Sequence, residues 1–179
     1  MKSRNKLLIV DGYNVLRSGS RYRHMRAMAD YTDEVYNKCR EALINDVIAH
    51  MGRDYCEAYL VFDGRDNEFS TGVPERIGGV QVVFSPAGLS ADTVIEKLAF
   101  DARSRGVEVM VVTSDATIQD TVFGLGVDRM SADGFSREAE LLDQEARLDE
   151  NPKATVKNTV GERIDASTLA QLEALRDGK

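Results

Sequence analysis

The sequence predicts an α/β fold with a central, mostly parallel sheet, and three observations lead there. Short, continuous apolar runs recur along the chain, segments of helical periodicity separate them, and an aspartate follows several of the runs. A run that is apolar at every position suits a strand covered on both faces. Strands alternating with helices make βαβ units, and βαβ units make parallel neighbours. The chain has 179 residues, which is ample for one domain and tight for two.

The first strand is Lys6–Val10, KLLIV. Basic residues precede it, as in a signal peptide, but the apolar run from Leu7 to Val10 is too short for an export segment and ends on Asp11. Val35, Cys39, Ala42, Leu43, Val47 and Met51 fall at helical spacing, so Asp33–Met51 is predicted as a helix with Gly52 as its stop. Glu57–Phe62 is the second strand, Gly64–Gly78 a polar loop, and Gly79–Phe84 the third strand. Ser90 is a suitable N-cap for a helix over Ala91–Ser104, ended by Gly106. Val107–Thr113 is the fourth strand. Ser114 is placed to cap a helix over 116–123, which Gly124 and Gly126 break. Ser131 caps a long charged helix to about Glu150, where Asn151-Pro152 ends it. The expected division is therefore a domain over residues 1–150, then a connector at 153–163 and a last helix capped by Ser167.

Composition excludes several classes. Hydrophobic residues make up 42% and charged residues 30%, the profile of a globular protein, and no apolar stretch is long enough to span a membrane. The expected location is cytoplasmic. Cys39 and Cys56 form no C-x-x-C pair, and His24 and His50 stand alone. Two reduced thiols are expected rather than a zinc site, so any metal would be a hard cation on oxygen ligands. The net charge of −7 argues against indiscriminate polyanion binding. Yet Gly12–Ala29 contains no acid and carries Arg17, Arg21, Arg23, His24 and Arg26. Such a segment either contacts phosphates or forms a solvated face.

Open parallel sheets bind ligands beyond the C-terminal ends of their strands. Asp11 follows the first strand, Asp63 the second and Asp115 the fourth, while Asp92 lies in the first turn after Ser90. Each alone has an ordinary reading as a turn or capping residue, Asp63-Gly64 most of all. Together they place several negative charges on one rim, where repulsion demands a compensating cation. Mg²⁺ or Mn²⁺ is the natural compensator and suits phosphodiester hydrolysis. Asn14, three residues after Asp11, is a candidate to orient Asp11, a water or a phosphate. Ser90, Thr113 and Ser114 are candidate hydrogen-bond donors at the border, and Tyr13 a candidate for stacking on a base.

In this order and spacing, LLIVDGYNV, LVFDG, SADTVIEKLA and VVTSDATIQDTVFGLG resemble the YacP-like branch of the NYN domain family, itself within the PIN-like ribonuclease superfamily. The resemblance runs from about Leu7 to Glu150 and on into the final helix. It implies a three-layer PIN-like sandwich with strand order 3-2-1-4-5. It also implies Mg²⁺- or Mn²⁺-dependent endoribonuclease activity, and mRNA as substrate in association with the ribosome. The implied acidic set is Asp11, Asp92 and Asp115, with Asn14 beside the first and Asp63 at the border. One departure is that many PIN-like nucleases carry an acid four residues after the Asp of the last block. That position is Gln119 here, with Asp120 next to it, which fits one metal better than two. The basic segment leaves the same rim, so Arg17, Arg21, Arg23 and Arg26 are expected near RNA.

Two other readings stay open. One is a module that grips RNA or the ribosome without cutting. The other is a small-molecule phosphatase on a related sheet, although Asp11 is followed by Gly-Tyr-Asn and the D-x-D of one such class is missing. A dinucleotide site is disfavoured, because no G-x-G-x-x-G follows the first strand.

Overall fold

A computed structural model describes residues 5–28, 32–118 and 126–150. The elements in order are β1 (Lys6–Asp11), α1 (Gly12–Ser18), α2 (Ser20–Ala27), α3 (Asp33–Asp54), β2 (Glu57–Phe62), β3 (Glu75–Ile77) and β4 (Val80–Phe84). There follow α4 (Ala91–Ser104), β5 (Glu108–Val112), β6 (Val127–Met130) and α5 (Ala132–Glu150). Residues up to Glu140 belong to one compact unit. The expected connector and final helix lie outside the described residues. Among the described residues no helix is long and apolar enough to cross a membrane.

The sheet order is β3-β4-β2-β1-β5-β6, with every pairing parallel except β3 with β4. Set the short edge strand β3 aside, and the order is the expected 3-2-1-4-5. Strand β1 lies between β2 and β5, pairing Val10 with Leu60 on one side and with Val112 on the other.

Period-two alternation divides the core between two faces. Leu8, Val10, Leu60, Phe62 and Val112 pack with Tyr22, Leu43, Val47 and Phe135 from α2, α3 and α5. Leu7, Ile9, Val61, Val83 and Val111 pack with Ile95, Ala99 and Ala102 from α4. Helices on both faces make the three layers.

Four local expectations change. The segment expected to be loop up to Gly78 contains β3, joined to β4 by Gly78-Gly79. Both glycines have positive φ, at 57° and 93°, the geometry of the tight hairpin turn that matches strand twist. A second strand, β6, appears where only helix breakers were read. Its Asp128 and Arg129 are exposed, as suits a charged edge strand, and Asp128 pairs with Lys6 at 2.7 Å. Gly52 does not stop α3, which runs on to Asp54 and ends where Tyr55 turns extended and becomes buried. The basic segment is not a single loop or face but the two short helices α1 and α2.

Candidate functional site

Asp11 is both the last residue of β1 and the N-cap of α1. Its Oδ1 accepts the backbone N–H of Asn14 at a long 3.4 Å, and its Oδ2 accepts the Thr113 hydroxyl at 3.2 Å. The residue is only 7% exposed. Burial pushes its carboxyl up from 3.8 to about 6, against the two hydrogen bonds, and the charges of Asp92 and Asp115 push it the same way. No Lys or Arg bonds to Asp11 among the described residues.

Asp92 stands in the first turn of α4, one residue inside the helix from Ala91 and behind its Ser90 cap. Its carboxyl is also raised, first by burial and then by Asp115, Asp63 and Glu96, with Arg65 opposing. Asp115 follows β5. Its N–H donates to Thr113 Oγ1 at 3.1 Å, and its Oδ1 accepts the N–H of Thr117 at 2.8 Å. Asp115 thus makes the bond expected of Ser114 as a cap, and residues 119–123 of the helix expected over 116–123 lie outside the described residues. The Ser114 hydroxyl instead accepts the N–H of Ala132 at the start of α5, at 2.9 Å.

Asn14 has a specific role in this frame. Its side-chain carbonyl accepts the backbone N–H of Ser114 at 2.8 Å, across 100 residues. That bond ties α1 to the turn after β5, and Ser114 ties the same turn to α5. Asp11, Asn14, Thr113, Ser114 and Asp115 thus form one hydrogen-bonded unit, with Asp92 coupled to it through charge. Gly12 lets the unit sit close to β2, since a Cβ there would meet the buried Phe62 ring at 2.4 Å.

The other expected residues are placed as follows. Asp63 accepts both the N–H and the guanidinium of Arg65, at 2.9 and 3.1 Å, a turn that borders Asp92 electrostatically. Ser90 is used as a cap, accepting the N–H of Thr93 at 3.2 Å. Tyr13 is half-buried against Phe62, with ring centroids 5.0 Å apart. Arg21 turns to Asp46, with contacts of 3.0 and 3.3 Å. Arg23 approaches Asp133 at 3.8 Å. Arg26 donates to the carbonyl of Arg17 at 3.1 Å, and Arg17 itself is exposed. Gln119 and Asp120 lie outside the described residues.

Sequence reasoning missed Arg65 and Glu96. Glu96 follows Asp92 by four residues on one helix, a spacing that puts both on one face and was available to find it. Arg65 sits in a turn whose sequence offered no comparable signal.

The donor set is one of oxygens only, which fits a hard divalent cation. Among the described residues no three His, Cys, Asp or Glu side chains form a ready-made cage. Direct contact through fewer carboxylates, with water completing the shell, is how Mg²⁺ is ordinarily held.

Known proteins resemble this chain along most of its length. YacP of Bacillus subtilis (strain 168) is 28% identical over 140 residues, 77% of each chain. The crystal structure of Rae1 (YacP) from Bacillus subtilis superposes with a TM-score of 0.61 at 25% identity, covering 96% of this chain and 95% of that one. The crystal structure of a tryptophan-to-leucine mutant of the same Bacillus subtilis protein gives a TM-score of 0.60 at 26% identity, covering 86% and 84%. The likeness supports a nuclease role connected with RNA. With a match to the YacP-like NYN domain over residues 8–177, the chain belongs to the YacP-like NYN domain family.

Proposed function

We propose that this protein is an Mg²⁺- or Mn²⁺-dependent endoribonuclease, with Asp11, Asp92 and Asp115 as the residues that hold the ion. The observation that carries the reading is Asp11 itself. A carboxylate buried at a strand end, pressed by two further acids and bonded to no cationic side chain among the described residues, is costly to keep charged. A divalent ion removes that cost, and a phosphodiester beside it supplies the remaining oxygens. When bound, the ion contributes charge stabilisation at phosphorus and an activated water.

The chain's own residues orient the acids. Thr113 fixes the Asp11 carboxylate and the Asp115 backbone through one hydroxyl, and Asn14 holds the β5 turn in place. Asp63, Ser90 and Ser114 border the site as supports. Arg17 and Arg23 leave the same rim and suit contact with the RNA backbone. The net charge of −7 gives weak attraction for free polyanions, which suits an mRNA delivered by the ribosome rather than captured by charge alone.

The test is cleavage of a 5′-labelled single-stranded RNA, alone and on ribosomes, with Mg²⁺, with Mn²⁺ and with EDTA. Internal cuts that require the metal and vanish in Asp11→Asn and Asp115→Asn are expected. RNA binding without cleavage in any condition would leave a binding module in its place. Hydrolysis of a small phosphate ester with RNA left intact would favour a phosphatase.

A further inference from the structure

The loop between β2 and β3 is pinned at several points. The Gly64 N–H donates to the Ser85 hydroxyl at 2.8 Å, which donates in turn to the Leu89 carbonyl at 2.8 Å. The Ser70 hydroxyl donates to the Ser85 carbonyl at 2.7 Å, and the N–H groups of Ala87 and Gly88 reach the carbonyls of Ser70 and Arg65 at 3.0 Å. Ser85, at the centre, is fully buried. Yet this tied-down loop holds Phe69 83% exposed and Val73 73% exposed. A fixed loop that keeps an aromatic ring in water forgoes the gain of burying it.

Those side chains face Phe84 across a cavity of about 280 Å³, lined also by Asn67 and Thr71. Its size falls just short of the ~300–1,000 Å³ of sites for whole small molecules, so it suits one planar ring rather than a cofactor. Phe84 is 37% exposed and stacks on Phe62, with centroids 5.3 Å apart and planes 25° from parallel. Phe62 in turn packs on Tyr13. This aromatic row follows the C-terminal edge of the sheet, since Phe84 pairs with Phe62 and Asp11 pairs with Val61. Two strand spacings of ~4.8 Å separate β4 from β1. Between them lies the Asp63–Arg65 pair, whose members both act on Asp92.

We infer that Phe84 and Phe69 form a stacking surface for a base of single-stranded RNA, next to the phosphate addressed by Asp11, Asp92 and Asp115. The assignment rests on the nuclease reading and deepens it. An aromatic face accepts any base, so the surface selects unpaired RNA over duplex without reading sequence. Arg65, half-exposed and adjacent, suits the intervening phosphate. The aromatic contact expected of Tyr13 thereby moves to rings with free area.

The chain contains no tryptophan, so Phe84→Trp creates a single reporter. In EDTA, an oligouridylate is expected to quench its fluorescence, while an abasic oligomer of the same length leaves it unchanged. Phe69→Ala and Phe84→Ala are expected to weaken oligouridylate binding about tenfold each and to raise KM with kcat retained. Phe69 is so exposed that its replacement does not threaten folding. Equal quenching by the abasic oligomer, or unchanged binding in both alanine variants while the wild type still cuts RNA, would overturn the stacking surface and leave the nuclease reading standing. A change of oligomeric state in Phe69→Ala by sedimentation, with RNA binding intact, would make the patch a contact between copies and also overturn it. A wild type that neither binds nor cuts RNA would end both.

Discussion

The hydroxyl of Thr113 donates to Asp11 at 3.2 Å and accepts the N–H of Asp115 at 3.1 Å, so one buried group joins two strand-end acids that lie 104 residues apart in the chain. Thr113→Val keeps the shape and deletes the hydroxyl. It leaves the Asp115 N–H without that acceptor and removes a donor that favours charged Asp11. We expect a loss of about 1–2 kcal/mol in urea unfolding and an upward shift in the acid limb of the cleavage pH profile. A variant equal to wild type in both would show that Thr113 organises neither acid.

Asp11→Asn should abolish cleavage and, without metal, stabilise the fold at neutral pH. The folded carboxyl, at about 6, binds its proton more tightly than the unfolded one at 3.8. Stability is therefore least burdened below pH 4 and declines as pH rises through 6. The full burden at pH 7 is about 3 kcal/mol for two pKa units. In EDTA, Asp11→Asn should raise the unfolding midpoint at pH 7.5, and the gain should shrink toward pH 4. A variant less stable than wild type at pH 7.5 would contradict the burial cost. The same titration predicts that metal affinity falls as pH drops through 6, where proton and ion compete for one oxygen pair.

The arginines of α1 and α2 should separate by function. Asp46 is buried, and Arg21 and Tyr22 both donate to it, Tyr22 at 2.7 Å. Burial raises the Asp46 carboxyl and these two partners oppose the rise. Arg21→Ala should therefore cost about 1.5–3 kcal/mol of stability with little change in the salt dependence of RNA binding. Arg17→Ala should leave stability within about 0.5 kcal/mol and make the salt slope shallower by about 1. Reversed effects, read by thermal melts and salt titrations, would exchange the two roles.

Gly12→Ala should damage the site through packing alone. Its methyl would stand 2.4 Å from a ring carbon of Phe62, and that ring is fully buried and packed between Tyr13 and Phe84. We expect about 1–3 kcal/mol of destabilisation and a drop in kcat, because α1 carries Asn14 and its bond to Ser114. Full activity at unchanged melting temperature would show that α1 yields freely.

The parts of this fold that could be read locally were those with a long apolar signal. β1, β2, β4 and β5 are mostly buried runs, α4 has its Ser90 cap, and Ser131 accepts the N–H of Gly134 at 3.0 Å at the head of α5. β3 and β6 are short, charged edges with little apolar content, so tertiary pairing rather than local sequence makes them strands. The Gly78-Gly79 turn was the one available sign of β3. At the site, the strand-end acids were visible because topology carries them to one rim. The Asn14–Ser114 bond was not, since it joins residues 100 positions apart through a backbone N–H. Arg21 read as a surface cation because its spacing is that of its neighbours, and only the fold reveals Asp46 beside it.

The central claim is that crowded acids at this rim are neutralised by a divalent ion. Crystals soaked in Mn²⁺ and measured for anomalous scattering test it most directly. The account predicts a peak in contact with Asp11 and shared with Asp92 or Asp115, lost in Asp11→Asn. A protein that cuts RNA while its Mn²⁺ peak lies elsewhere, or while no peak forms at saturating metal, would contradict it.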